Sequence, residues 1–222
     1  MLEYLQETLL WQVMPYLLLG AKTTILLSLV SMALALVLGL LAALARLSRH
    51  APLRWFSNIY VEVIRGTPLL VQLFIVYYGL PQYGIRLDAF VAGFLTLGFH
   101  YGAYLSEVYR AGIVAVERGQ IEAAQSIGMS RGQILREVVL PQAIPVVLPP
   151  LGNYFISMLK DSALTATISV TELLRAGQLR VAITFRAMEI YLIIAAIYFA
   201  ISFPFALLVR RLERRSSHGK SH

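Results

Sequence analysis

Charged residues divide this chain into long silent stretches. No Asp, Glu, Lys or Arg occurs at positions 23–45, 66–85, 89–106, 138–159 or 190–209, runs of 23, 20, 18, 22 and 20 residues. About 20 helical residues cover the hydrocarbon core of a bilayer, so each run has the length of one crossing. Apolar residues fall on every face of these runs, without the alternation over short segments that a transmembrane barrel requires. The pattern predicts an all-α integral membrane protein, one transmembrane domain over residues 1–222. About five transmembrane helices are expected, over 20–45, 57–79, 88–110, 140–160 and 188–210.

The punctuation between the runs adds detail. Residues 1–15 read as a short amphipathic lead with Trp11 as an interfacial anchor. Glu3 and Glu7 stand where a secretory signal would carry basic residues, so a cleaved leader is not expected. Arg65-Gly66-Thr67-Pro68 interrupts the second run, because Pro68 lacks an N–H and disfavours helix at Thr67. Leu80–Leu87, with Pro81 and Gly84, reads as a short outer loop. The fourth run carries Pro141, Pro145, Pro149 and Pro150, and Pro141 is expected to stop regular bonding. Ser162–Thr171 is too short to cross and is expected to be re-entrant or surface-lying.

Composition closes off other classes. With 58% hydrophobic and 14% charged residues and no cysteine, the chain is neither a soluble globule, a disulfide scaffold nor a disordered segment. Thiolate metal sites and cysteine nucleophiles are excluded too, and no metal site is expected. The net charge of +7 has no soluble basic face to carry it, so nucleic acid is not an expected partner. Membrane lipid is.

The positive-inside rule accounts for most of that charge. With the N-terminus outside and the C-terminus inside, the inner face receives Arg46, Arg49 and Arg54; Arg110, Arg118, Arg131 and Arg136; and Arg210, Arg211, Arg214, Arg215 and Lys220. These are twelve of the nineteen basic residues. Lys22, Arg86, Lys160, Arg175, Arg180 and Arg186 fall outside, four of them in the single stretch 160–186.

The loop Glu117–Pro141 is polar where its neighbours are not. Gln120–Ile127 reads as a helix that Gly128 ends in the left-handed conformation. Ser130 opens a second helix, with Gln133 three residues on as a capping box requires. Such a hairpin is either a plain link between two spans or a docking surface on the cytoplasmic side.

The residues within it carry a resemblance. Glu122-Ala123-Ala124, Gly128, Val138, Leu140 and Pro141 resemble the EAA motif (EAA-x3-G-x9-I-x-LP) of ABC-importer permeases, with valine in place of isoleucine. Ile64–Leu70, Ala103-Tyr104, Glu107, Arg110 and Lys160-Asp161-Ser162 resemble the polar-amino-acid subfamily, over about residues 15–213. Tyr77–Gln82 and Leu140–Ala143 are most similar to its cystine permeases. His100-Tyr101 stands where that family more often has Asn followed by a small residue.

The resemblance implies a type I ABC importer permease in the bacterial inner membrane. It also implies partners: a second permease subunit, a dimer of ATP-binding subunits, and an external solute-binding protein that delivers an amino acid. Glu122, Ala123, Ala124, Gly128, Leu140 and Pro141 would couple to the ATPase, the alanines permitting close approach. No cofactor is expected on this chain, which lacks the Gly-x4-Gly-Lys-[Ser/Thr] phosphate loop; ATP-Mg would be used by the partner, and the chain would not itself be an enzyme.

Ionisable groups within spans usually face a cavity or a partner. Glu107, His100, Lys160, Asp161, Arg65 and Thr67 are the candidates for the substrate pathway. The competing reading pairs Glu62 with Arg65 and Glu107 with Arg110 as salt bridges at helix ends, and packs His100 as a hydrogen-bonded core residue. Gly98-x3-Gly102 would let two helices approach closely. A membrane-embedded enzyme would need a catalytic motif that is absent. A stand-alone ion-coupled transporter would need two related halves, and none is visible.

Overall fold

The computed structural model describes residues 2–218, with side chains placed over 10–214. Lys220 lies outside the described residues, as does the side chain of Arg215. Nine α-helices are present among the described residues, with no strand. They are α1 (Leu2–Leu47), α2 (Ala51–Gly66), α3 (Leu69–Phe74), α4 (Ala89–Val114), α5 (Arg118–Ser126), α6 (Arg131–Gln133), α7 (Leu140–Asp161), α8 (Leu173–Thr184) and α9 (Ala187–His218). The predominance of helix follows from the solvent: in hydrocarbon only an internally bonded backbone is stable.

Several expected boundaries shift. The lead over 1–15 is not separate, because α1 runs on through Pro15 for 46 residues. Trp11 is 82% exposed on it. Three helical stretches have the length and hydropathy of a span: Leu10–Leu47, Arg131–Ile168 and Ala187–Arg214. A fourth counts if α2 and Leu69–Tyr83 are taken together. The fifth expected span, α4, is long enough at 26 residues but falls short in hydropathy. Thr96, His100, Tyr101, Tyr104, Ser106, Glu107 and Arg110 make it polar.

The second span breaks where Pro68 required. Thr67 is extended (φ −118°, ψ 141°), as is Pro68 (φ −63°, ψ 137°). Pro141, by contrast, does not stop the helix. A π-helical turn over Ile134–Val139 leads directly into α7 at Leu140. The Leu140 N–H donates five residues back, to the Leu135 carbonyl, and Pro141 lacks only the next bond in line. Pro141, Pro145 and Pro149 are four apart and share one face of α7, while Pro150 falls about 100° around the helix from Pro149.

The chain forms two compact units. The first comprises the described residues up to Ala33, Pro68–Gly98 and Ile156–Pro204. Val13, Leu17, Ala21, Leu173, Ala176, Ile190 and Ile194 form a buried apolar cluster in it. The segment after α7 continues the helical stretch Arg131–Ile168. It winds into a 3-10 helix, Ser162–Ile168, with Ser162, Thr165, Ala166 and Ile168 buried. The second unit comprises Leu34–Thr67, Phe99–Phe155 and the described residues from Phe205. There Ser57 donates to the Ala42 carbonyl (2.9 Å) and Tyr60 to the Phe99 carbonyl (2.6 Å). A Cβ at Gly102 would lie 2.8 Å from the Tyr60 hydroxyl and 3.0 Å from Leu38 Cβ, so this glycine sets the approach of α4 to α1.

Glu172 holds the first unit together, and its side chain is fully buried. It caps α8: Oε1 accepts from the Arg175 amide (2.8 Å) and Oε2 from the Leu174 amide (2.9 Å). Tyr198 of α9 also donates to Oε2 (2.7 Å), and Thr24 of α1 at 3.4 Å. Thr24 accepts in turn from the Leu173 amide (3.1 Å). Burial pushes the Glu172 carboxyl up, while the hydrogen bonds from Tyr198, the two amides and Thr24 pull it back.

Replacing Glu172 by alanine leaves two amides and two hydroxyls facing no acceptor. Each buried donor so orphaned costs about 1–3 kcal/mol. Glu172→Ala is expected to lower the thermal midpoint of the purified protein strongly, and Glu172→Gln less, as read from thermal aggregation in detergent.

Candidate functional site

The hairpin after α4 is built by its own short-range chemistry. Gly128 adopts φ +83°. Its amide donates to the Gln125 carbonyl (3.0 Å) and the Met129 amide to the Ala124 carbonyl (3.1 Å). This pair of bonds is the Schellman pattern, which closes α5. Ser130 and Gln133 then cap each other reciprocally, Gln133 Oε1 accepting from the Ser130 amide (2.9 Å) and Ser130 Oγ from the Gln133 amide (3.4 Å). Gln142 donates to the Gln120 side chain and to the Val138 carbonyl, tying the two arms together.

Packing decides which way the motif residues face. Ala124 is buried with Val116, Ile134 and Val139, flanked by Ile121, Met129 and Val138. Glu122 and Ala123 are exposed, as are Leu140 and Pro141, and Ile127 is 79% exposed. The two alanines thus face different ways. Ala124 is small so that α5 can lie on Ile134, and only Ala123 is on the open face. A Cβ at Gly128 would meet nothing within 4 Å, so glycine is required there by backbone angle alone.

The second cluster lies at the ends of α1, α2 and α4. Glu107 Oε1 meets Arg46 Nη1 at 2.6 Å and Arg65 Nη1 at 3.5 Å; Oε2 meets Arg110 Nε at 3.0 Å. Arg46 also donates to Asn58 (2.8 Å), and the Arg65 guanidinium lies 5.3 Å from the centre of the Tyr104 ring. The Glu107–Arg110 pairing is as expected. Arg65 does not pair with Glu62: Tyr104 and Glu107 draw it toward α4, leaving Glu62 exposed. One carboxylate thus joins three helices.

Thr67 donates to the Val63 carbonyl (2.9 Å), where it ends α2. His100 is buried with its ring edge-on to Tyr101 and 5.1 Å from Tyr104, in an aromatic group completed by Tyr154. Lys160, exposed, and Asp161, half-buried, belong to the first unit, whereas Arg65, Thr67, His100 and Glu107 belong to the second. Arg46, read from sequence only as an inner-face charge, proves to be the shortest partner of Glu107. Glu172 went unread; its signal was an acid directly before an apolar helical start.

A family model described as "Binding-protein-dependent transport system inner membrane component" matches residues 35–218. The L-cystine transport system permease protein TcyB of Bacillus subtilis is 44% identical over 197 residues, 88% of this chain and 84% of its own. The glutamine transport system permease protein GlnP of Escherichia coli is 40% identical over 212 residues, covering 93% and 95%. Among solved structures, an amino acid ABC transporter crystallised with histidines matches with TM-score 0.87 and 42% identity, over 93% of this chain and 96% of the other. The MetNI methionine ABC transporter matches with TM-score 0.72 at 20% identity, over 90% and 98%, a likeness of fold alone.

The Glu107 cluster generates a structural expectation. Glu107→Ala leaves three guanidinium groups facing one another, at a cost of roughly 2–3 kcal/mol in lost charge-assisted bonds. The yield of folded protein on size exclusion should fall, and Glu107→Gln should fall less. Wild-type yield and thermal midpoint in Glu107→Ala would show that the cluster is not structural.

Proposed function

Because the chain belongs to the family of binding-protein-dependent transport system inner membrane components, the permease subunits of ABC transporters, we propose that it forms the translocation pathway for a polar amino acid. It does so as one of a pair, with a second copy or a close paralogue. Relatives of similar identity are named for cystine and for glutamine, which supports a polar amino acid as the class. An external solute-binding protein delivers the substrate. A dimer of ATP-binding subunits hydrolyses ATP-Mg on the far side, since this chain has no phosphate loop. The location is the bacterial inner membrane, with the N-terminus outside and the C-terminus inside. The relatives favour this reading over a stand-alone ion-coupled carrier.

The observation that carries the coupling step is the hairpin. It is internally cored, closed by Gly128, and presents Glu122, Ala123 and Ile127 outward. A rigid element with one open face can seat in an ATPase cleft, Glu122 meeting a cation or an amide. It passes motion directly into α7 through the unbroken helical run from Arg131. Glu107, by contrast, is an anchor for α1, α2 and α4.

Two outcomes test the proposal. The purified chain alone should hydrolyse no ATP, and with its ATPase it should show hydrolysis stimulated by the loaded binding protein. Substantial hydrolysis by the isolated chain would sink the assignment. Valine at Gly128 is strained by about 1–2 kcal/mol at positive φ, and the open space around it removes any steric contribution. Gly128→Val should therefore reach the membrane at near-normal levels yet lose most uptake of labelled amino acid, with Gly128→Ala milder. Normal stimulated uptake in Gly128→Val would reduce the hairpin to a linker.

A further inference from the structure

The stretch 160–186 holds four basic residues on the face where positive charge is disfavoured for topology. Arg186 is paired with Glu189 (3.0 Å). Arg180 is not so used. Its guanidinium stacks on the Tyr16 ring, 3.6 Å from the centroid, and its Nε is buried with no hydrogen-bond partner. A cavity of about 280 Å³ opens beside it within the first unit, lined by Tyr16, Leu19, Thr23, Thr171, Leu179 and Arg180 among others, with no carboxylate on its wall.

The chemistry of that wall is selective. A guanidinium stacked on a ring keeps its N–H groups in its own plane, free to meet a carboxylate two at a time. Thr171 is exposed on the cavity wall, and its hydroxyl adds a donor. Leu19 and Leu179 supply apolar walls. A buried donor without an acceptor is unfavourable unless something fills the place. Tyr16 and Thr171 are exposed at the rim of the cavity. Tyr16 precedes Arg46 by about 30 residues of one helix, more than a bilayer crossing requires.

We propose that this cavity binds the carboxylate of the amino acid on the outer side of the membrane, with Arg180 as its cation, Tyr16 as the platform that orients it, and Thr171 as a second donor. The inference rests on the reading of the chain as an amino-acid permease.

The test uses the complete complex with its ATPase, reconstituted in nanodiscs without the binding protein. Equilibrium binding of radiolabelled L-glutamine and L-cystine is compared with competition by glutamine whose α-carboxylate has been converted to the amide. The wild type should prefer the free carboxylate. Arg180→Gln should weaken binding at least tenfold and abolish that preference, while Arg180→Lys, keeping the charge, should retain the preference at reduced affinity. Leu179→Trp fills the cavity without touching the cation and should also weaken binding at least tenfold. Wild-type affinity in both Arg180→Gln and Leu179→Trp overturns the proposal, as does weakened binding of the external protein with amino-acid binding unchanged. ATP-driven uptake by the wild-type complex in sealed proteoliposomes, with the loaded binding protein added, separates the two readings. If no amino acid is taken up, the permease assignment fails; if uptake is normal and the variants bind like the wild type, only the Arg180 site fails.

Discussion

A carboxyl group among apolar helices is tolerable only when donors surround it, and each unit of this chain is organised around one that is. Glu172 gathers two amides at the start of α8, a hydroxyl of α9 and a hydroxyl of α1. Glu107 gathers guanidinium groups from α1, α2 and α4. Apolar packing alone gives helices in a bilayer little reason to choose one neighbour over another, because lipid tails are as apolar as leucine. These two side chains supply the choice. Around Glu107 lies the close α1–α4 approach at Gly102, and around Glu172 the cluster of Val13, Leu17, Leu173 and Ile190.

The hairpin works on a different principle. Its fold depends on neighbours a few residues away: the two bonds that close α5 over Gly128, the reciprocal cap of Ser130 and Gln133, and the contact of Ala124 with Ile134. It is a small solid body outside the spans. The π-helical turn Ile134–Val139 joins it to α7 without a hinge loop. A displacement of the hairpin is therefore a displacement of α7.

This difference explains what could be read from residue order. The hairpin was legible because its determinants are local: a glycine at a helix end and a capping box. The break at Thr67–Pro68 was legible for the same reason. Pro141 misled, since its effect depends on the turn before it, and a π turn absorbed the lost donor. The direction of Ala124 was invisible until Ile134 was placed against it. The pairing of Arg65 was misjudged because spacing along α2 pointed to Glu62, while Tyr104 and Glu107 on α4 offered more. Glu172 lies furthest from legibility: Thr24 is 148 positions before it and Tyr198 is 26 after. The count of five spans blurred at α4, whose polar residues are matched by tertiary partners that a run of uncharged residues cannot reveal.

The order of the chain also gives the polar helix a history. Synthesis proceeds from the N-terminus, so Arg46 and Arg65 are already in the membrane when α4 leaves the insertion machinery carrying Glu107. The helix least able to enter lipid on its own finds its counter-charges waiting. Glu172 has no such advantage, for Tyr198 is made after it. The first unit must hold a partly satisfied acid near the membrane until α9 arrives and completes that unit.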